Sequence, residues 1–265
     1  MSTTLFKKEF KNNLLLLGIF CLVLTLYITM IISMFDPALS KSIEAMRESM
    51  PEIFALVGMS APGVTLLDFI VNYLFGFLFK LFPMIFFCIL INRMLIRYID
   101  RGTMAYLLAT PNSRIKIVGT QALSICFELF LLLAYISLLV IIISEFTFPG
   151  ALDLPLFLFA IVGLFGLLLF MSSIAFLCGC IFHEASKALG IGIGINILFL
   201  LIQMISQVGE KFEWLKYATP LTLYDPFGIA ANDSKSFVLV LPLYVCAIAF
   251  YLLGLFIFQK KDLCI

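Results

Sequence analysis

Charged side chains are scarce in this chain. Asp, Glu, Lys and Arg make up 12% of its 265 residues, about half the share of an ordinary soluble domain. His183 is the single histidine and Trp214 the single tryptophan. One His leaves no His pair for a metal, and His183, at the end of a helix, is assigned no chemistry. A lone intramembrane acid, Glu128, leaves no Asp dyad either, so an intramembrane enzyme finds almost none of the groups it needs. No G-x-x-x-x-G-K-[ST] stretch is present, so no loop cradles a nucleotide phosphate. Gly190, Gly192 and Gly194 do give G-x-G-x-G, but inside an apolar run with no strand before it. They read as close helix packing. A net charge of +1 makes no case for nucleic acid as a partner. No tract is polar enough to form a separate soluble domain, so residues 1–265 are read as a single transmembrane domain.

Of the seven cysteines, Cys21, Cys88, Cys126, Cys178, Cys180 and Cys246 fall in apolar runs and Cys264 in the tail. None falls in an outer loop, so no external disulfide framework is expected. Cys178 and Cys180 sit on different faces of one helix with no partner cluster, and read as small buried hydrophobes.

Apolar residues are abundant instead, at 63%, with 29 Phe. A spanning helix needs about 20 predominantly apolar residues. Six stretches qualify: 13–35, 69–92, 117–143, 155–182, 188–208 and 237–258. The fold class is therefore an all-α polytopic membrane protein with six transmembrane helices and short amphipathic interfacial helices. The first run follows Lys7, Lys8 and Lys11 but is long enough to span. No small-x-small cleavage site follows it, so it reads as a retained helix. Lys and Arg set the orientation. One side holds Lys7, Lys8, Lys11, Arg93, Arg97, Arg101, Arg114, Lys116, Lys187, Lys260 and Lys261. The other holds Lys41, Arg47, Lys211, Lys216 and Lys235. The richer side is cytoplasmic, and both termini lie there.

The flanking segments carry further expectations. Phe6–Phe10 with Lys11 suits an amphipathic helix along the inner membrane surface. Ile43, Met46, Arg47 and Met50 have helical spacing and suit a short helix at the outer interface. Trp214, Tyr217 and Tyr224 near charged groups suit an outer aromatic belt. Loop His183–Lys187 is a tight inner turn and a second, smaller contact for a cytoplasmic partner.

The most informative segment is Asp100–Arg114, D-R-G-T-M-A-Y-L-L-A-T-P-N-S-R, within the basic inner loop 93–116. Gly102-Thr103 breaks or caps, and Thr103 can cap Met104–Ala109. Thr110-Pro111 stops that helix, and Asn112-Ser113 caps the next span. A short helix parallel to the membrane results, with an apolar surface of Tyr106, Leu107 and Leu108. Such a helix either packs on its own bundle or docks another protein, with Tyr106 and Leu107 filling a groove.

This loop resembles the cytoplasmic segment of ABC-2-type transporter permeases, an acidic residue, then G-T, then L-L-x-T/S-P-x-S-R. The match falls on Asp100, Gly102, Thr103, Leu107, Leu108, Thr110, Pro111, Ser113 and Arg114. The tail is similar too, through Phe258, Lys261, Asp262 and Leu263. Many relatives carry a Glu upstream of G-T, whereas Arg97-Tyr98-Ile99-Asp100 leaves Asp100 as the acid here. The resemblance implies a permease subunit, an exporter of peptides, drugs or lipid-like molecules in a bacterial plasma membrane. It implies a second permease subunit, identical or a sibling, with the fifth span at the subunit interface. It also implies separate ABC ATPase subunits docking on Asp100, Arg101, Gly102, Thr103, Tyr106, Leu107, Leu108, Pro111, Ser113 and Arg114. ATP and Mg would be bound by those ATPases, and this chain would bind no cofactor or metal and catalyse nothing.

Two charges fall inside the expected spans, Lys80 and Glu128. Measured from Asn92 and Ile117, both lie roughly 16–18 Å from the inner edge at about 1.5 Å per residue. Equal depth on adjacent spans predicts a pair, either a structural salt bridge or a group engaged in gating. A secondary transporter using Lys80 and Glu128 as an ion relay is the alternative reading of the whole chain.

Overall fold

The computed structural model describes residues 2–36, 65–100, 102, 104, 113–207 and 210–261. Among them there is no strand, and six helices are long and apolar enough to cross a membrane. They are α1 (Thr3–Ser33), α2 (Leu66–Asp100), α3 (Arg114–Thr147), α4 (Leu154–Ile181), α5 (Ala185–Ser206) and α7 (Ser234–Lys260). Between the last two lie 3-10 turns at Glu210–Ala218 and Pro220–Leu223 and a short helix, α6 (Pro226–Ala230).

The ends of these helices follow from local chemistry. Thr65 and Asp68 form a reciprocal capping box at the start of α2, satisfying two amides that no helical carbonyl reaches. Ser113 accepts from the Lys116 amide and starts α3. Asp153 accepts from the Leu156 amide and starts α4, with Pro155 in its first turn. Asp225 and Asp233 do the same for α6 and α7. Within α2, the turns are π-helical over Val71–Leu78 and Asn92–Ile96. Pro83 follows the first of these. It has no amide to close on the Phe79 carbonyl, and the wide turns end just where that carbonyl is freed.

α4 is the hub. α7 packs along its length, and α5 and α2 lean on it. α1 packs along α3 instead. Two glycines let α7 and the outer segment approach α4. A Cβ on Gly166 would stand 2.6 Å from the Tyr244 ring, and one on Gly163 would stand 2.8 Å from the Tyr224 ring. Both rings are pinned, because Tyr244 donates to the Val162 carbonyl at 2.6 Å and Tyr224 to the Ala160 carbonyl at 3.0 Å. On α5, Gly192 meets Ala175 and Cys178, while Gly190 and Gly194 face open space.

Two expectations change. The N-terminal segment is no separate surface helix, since α1 runs unbroken from Thr3. The Ser2 amide donates to Thr120 Oγ1, and Phe6 and Phe10 both pack on Phe127, so the segment is held upright against α3. Tyr224 is no belt residue. Trp214 and Tyr217 are exposed, but Tyr224 is 2% exposed and sits under the outer segment. Burial holds its phenol well above the ordinary tyrosine pKa, with Asp225 adding to the effect. The expected outer helix around Ile43–Met50 lies outside the described residues.

Candidate functional site

The loop singled out above has two roots, the inner end of α2 and the start of α3. α2 closes at Asp100, and the Gly102 amide donates to the Ile99 carbonyl at 3.1 Å. Gly102 has φ +65°, the left-handed conformation that ends helices and favours glycine. The Asp100 carboxylate then reaches across the inner face, where its Oδ1 accepts from the Ala185 amide at 2.9 Å. Ala185 is the first residue of α5. Its own N-cap, Glu184, makes no capping bond, since that carboxylate accepts from Lys187 Nζ at 2.8 Å. α2 thus supplies the cap that α5 needs. Such caps are worth about 1 kcal/mol, and a carboxylate suits the positive end of a helix dipole.

The second root is tied as well. Arg114, the first residue of α3, donates from Nη1 to the Lys261 carbonyl at 2.9 Å. Lys261 follows α7 and is only 7% exposed. Its Nζ donates to the carbonyls of Cys180 at 2.9 Å and Phe182 at 2.7 Å. Those carbonyls close α4, where the last turn has no helical amides left to bond. Burial lowers the Lys261 pKa, against an opposing pull from Cys180. Both roots therefore converge on one short turn, Phe182–Glu184, between α4 and α5.

Of the candidate loop residues, Asp100, Gly102, Ser113 and Arg114 are described: Asp100 and Arg114 make the long-range contacts, while Gly102 and Ser113 end and start the helices they adjoin. Arg101, Thr103, Tyr106, Leu107, Leu108 and Pro111 lie outside the described residues, as do Asp262 and Leu263. Lys261 was visible as an inner-side cation and as part of a tail resemblance, with no contact assigned to it. Glu9 and Asn13 were missed, because nothing in a single polar residue near a helix start says that it will face inward. Glu9 accepts from the Tyr98 hydroxyl at 3.3 Å, tying α1 to α2.

The expected pair of Lys80 and Glu128 does not form. Glu128, 1% exposed, accepts at Oε1 from Asn13 Nδ2 at 3.1 Å, and its Oε2 has no hydrogen-bond partner. Lys80, 5% exposed, stands 5.8 Å from the centre of the Tyr224 ring and feels the charge of Asp225. The reason is length. The helices end at Asp100 and Arg114, not at Asn92 and Ile117. From those ends Lys80 lies about 30 Å along its helix and Glu128 about 21 Å, at about 1.5 Å per residue. Lys80 belongs to the half of the bundle beside Tyr224 and the segment between α5 and α7, and Glu128 to the half beside Asn13 of α1.

An apolar groove of about 600 Å³ runs between α2 and α5, walled by Leu81, Met84, Ile85, Ile193, Ile197 and Leu201. Lys80 is not among its walls. No group of three or more His, Cys, Asp or Glu that could hold a metal occurs among the described residues.

A family model described as ABC-2 family transporter protein matches residues 3–263. The chain belongs to the ABC-2 transporter family. The match spans the whole six-helix bundle, not the loop alone. As a member, this chain is a multi-pass membrane protein and a permease subunit of an ABC transporter. ABC-2 permeases generally work with ABC ATPase subunits and are not themselves catalytic. No curated protein and no solved structure gives a significant match.

Proposed function

We propose that this ABC-2 permease is the membrane path of an exporter whose ATPase subunits dock on loop 93–116. The observation that carries the docking reading is the anchorage of that loop's two roots. Asp100 and Arg114 connect to separate spans through long-range hydrogen bonds, so a partner pressing there acts on the bundle and not on a loose strand. ATP and Mg belong to the partner, and this chain supplies the surface that senses its state. The substrate is a hydrophobic or amphipathic molecule such as a peptide, a drug or a lipid. The apolar groove between α2 and α5 supports that class, because every wall residue except Asn92 is apolar. A second permease subunit, the same chain or a sibling, completes the path, and the plasma membrane of a bacterium is its setting. The alternative ion relay through Lys80 and Glu128 loses its geometric basis, since the two charges keep different company.

The test is affinity purification of the tagged protein from native membranes in mild detergent, with the variant Tyr106→Glu alongside. Wild type is expected to bring down an ATP-binding-cassette subunit in stoichiometric amount. Tyr106→Glu is expected to lose it while the permease itself stays folded. An intact wild-type preparation without an ATPase sinks the reading.

A further inference from the structure

We propose that Lys261 is a positioning residue that makes the turn between α4 and α5 move with the roots of loop 93–116. The inference rests on the reading above and adds the route by which a push on the loop reaches the spans.

The contacts form a chain. Arg114 Nη1 holds the Lys261 carbonyl, and Lys261 Nζ holds the carbonyls of Cys180 and Phe182. From the other root, Asp100 holds the Ala185 amide. Cys180 and Phe182 stand on one side of the turn at His183-Glu184, and Ala185 on the other. The signs suit the helix ends. A cation meets the carbonyl end of α4, and a carboxylate meets the amide end of α5. Neither helix end is closed by a side chain of its own turn. Glu184 is engaged with Lys187 instead, and Lys261 comes from 79 residues beyond Phe182. A tie meant only to finish a helix would come from a neighbouring residue, as Ser113, Asp153 and Asp233 do elsewhere in this chain.

The tie has a mechanical consequence. α5 leans on α4 and is largely exposed elsewhere. It also forms one wall of the apolar groove, α2 the other. Asp100 ends α2. Displacing the loop roots therefore carries the α4–α5 turn with the end of α2 and swings the rest of α5 relative to α2, which changes the groove with no need to repack the buried face of α4.

The complex with its ATPase, purified from native membranes, is followed by hydrogen–deuterium exchange of residues 183–189, with and without trapping by ATP and orthovanadate. Wild type is expected to change its exchange rate there by about fivefold or more, the lower end of ordinary site-to-site coupling. Lys261→Met keeps the length and removes the donors. It is expected to retain the ATPase at wild-type ratio and to lose the trapped-state change. Lys261→Arg restores donors for both carbonyls and is expected to restore the change, a rescue that a simple loss of stability would not follow. If Lys261→Met fails to accumulate, Lys261→Gln, a shorter amide that lets go of at least one of the two carbonyls, must show a reduced change. Persistence of the full change in whichever variant accumulates, with the ATPase bound, overturns the inference alone. A wild-type preparation with no ATPase overturns the transport reading and the inference with it.

Discussion

Lys80 and Glu128 show how a buried charge is settled by what surrounds it. A carboxylate out of water needs hydrogen bonds more than it needs a distant cation. Glu128 takes one from Asn13. Lys80 lies over an aromatic face near an acid at the outer end. The two sites are then independent. In a double-mutant cycle read by thermal unfolding in detergent, Lys80→Met and Glu128→Leu should add to within about 0.5 kcal/mol. A coupling above about 1 kcal/mol would restore the pair. The same cycle on Asn13→Leu and Glu128→Leu should instead show coupling of about 0.5–3 kcal/mol, because each removes the other's partner. The existence of both charges was legible in the sequence. Their partners were not, since depth was measured from helix ends that extend several residues further than hydropathy indicates.

Among the helices, α4 carries the strictest demands. Tyr244 cannot retreat from Gly166 without breaking its bond to Val162, so an added methyl there has nowhere to go. Gly166→Ala should destabilise by about 1–3 kcal/mol, as overpacking does. Gly190→Ala meets open space and should be neutral or stabilising, by up to about 1 kcal/mol, from helix propensity. Thermal unfolding of the two variants side by side checks the contrast, and equal losses would contradict it. Glycine-rich packing of α4 and α5 was readable from small residues recurring in apolar runs. Which of those glycines meet a neighbour was not, because that depends on how α7 and the outer segment approach from far along the chain. The upright α1 was hidden for a similar reason. Phe6 and Phe10 look like a membrane-surface face until Phe127 is seen beside them.

The molecule as a whole was the most legible level. Six apolar runs of spanning length specify span number without any tertiary knowledge, and a lopsided distribution of Lys and Arg predicts the orientation. Orientation is directly checkable in a cysteine-free background. Tyr217→Cys, at a side chain 95% exposed, should react with a membrane-impermeant maleimide applied to intact cells. His183→Cys should react only after permeabilisation. The reverse pattern would invert the whole topology. Hydropathy also marked out the loop between α2 and α3, but not its ties to α5 and the tail, which join residues 85 and 147 positions apart. The wide turns of α2 add one more consequence. An α-helix keeps step at 3.6 residues per turn, whereas a π turn holds back an extra residue. Val71–Leu78 is thus a change of phase, and the residues before and after it read as two separate wheels. Deleting one residue inside it would leave composition and length nearly untouched. It would also close the wide turns to ordinary α-helix and leave the start of α2, with its Thr65–Asp68 cap, facing as it does, whereas the same deletion in the α-helical turns after Pro83 would swing that start about 100° around the axis.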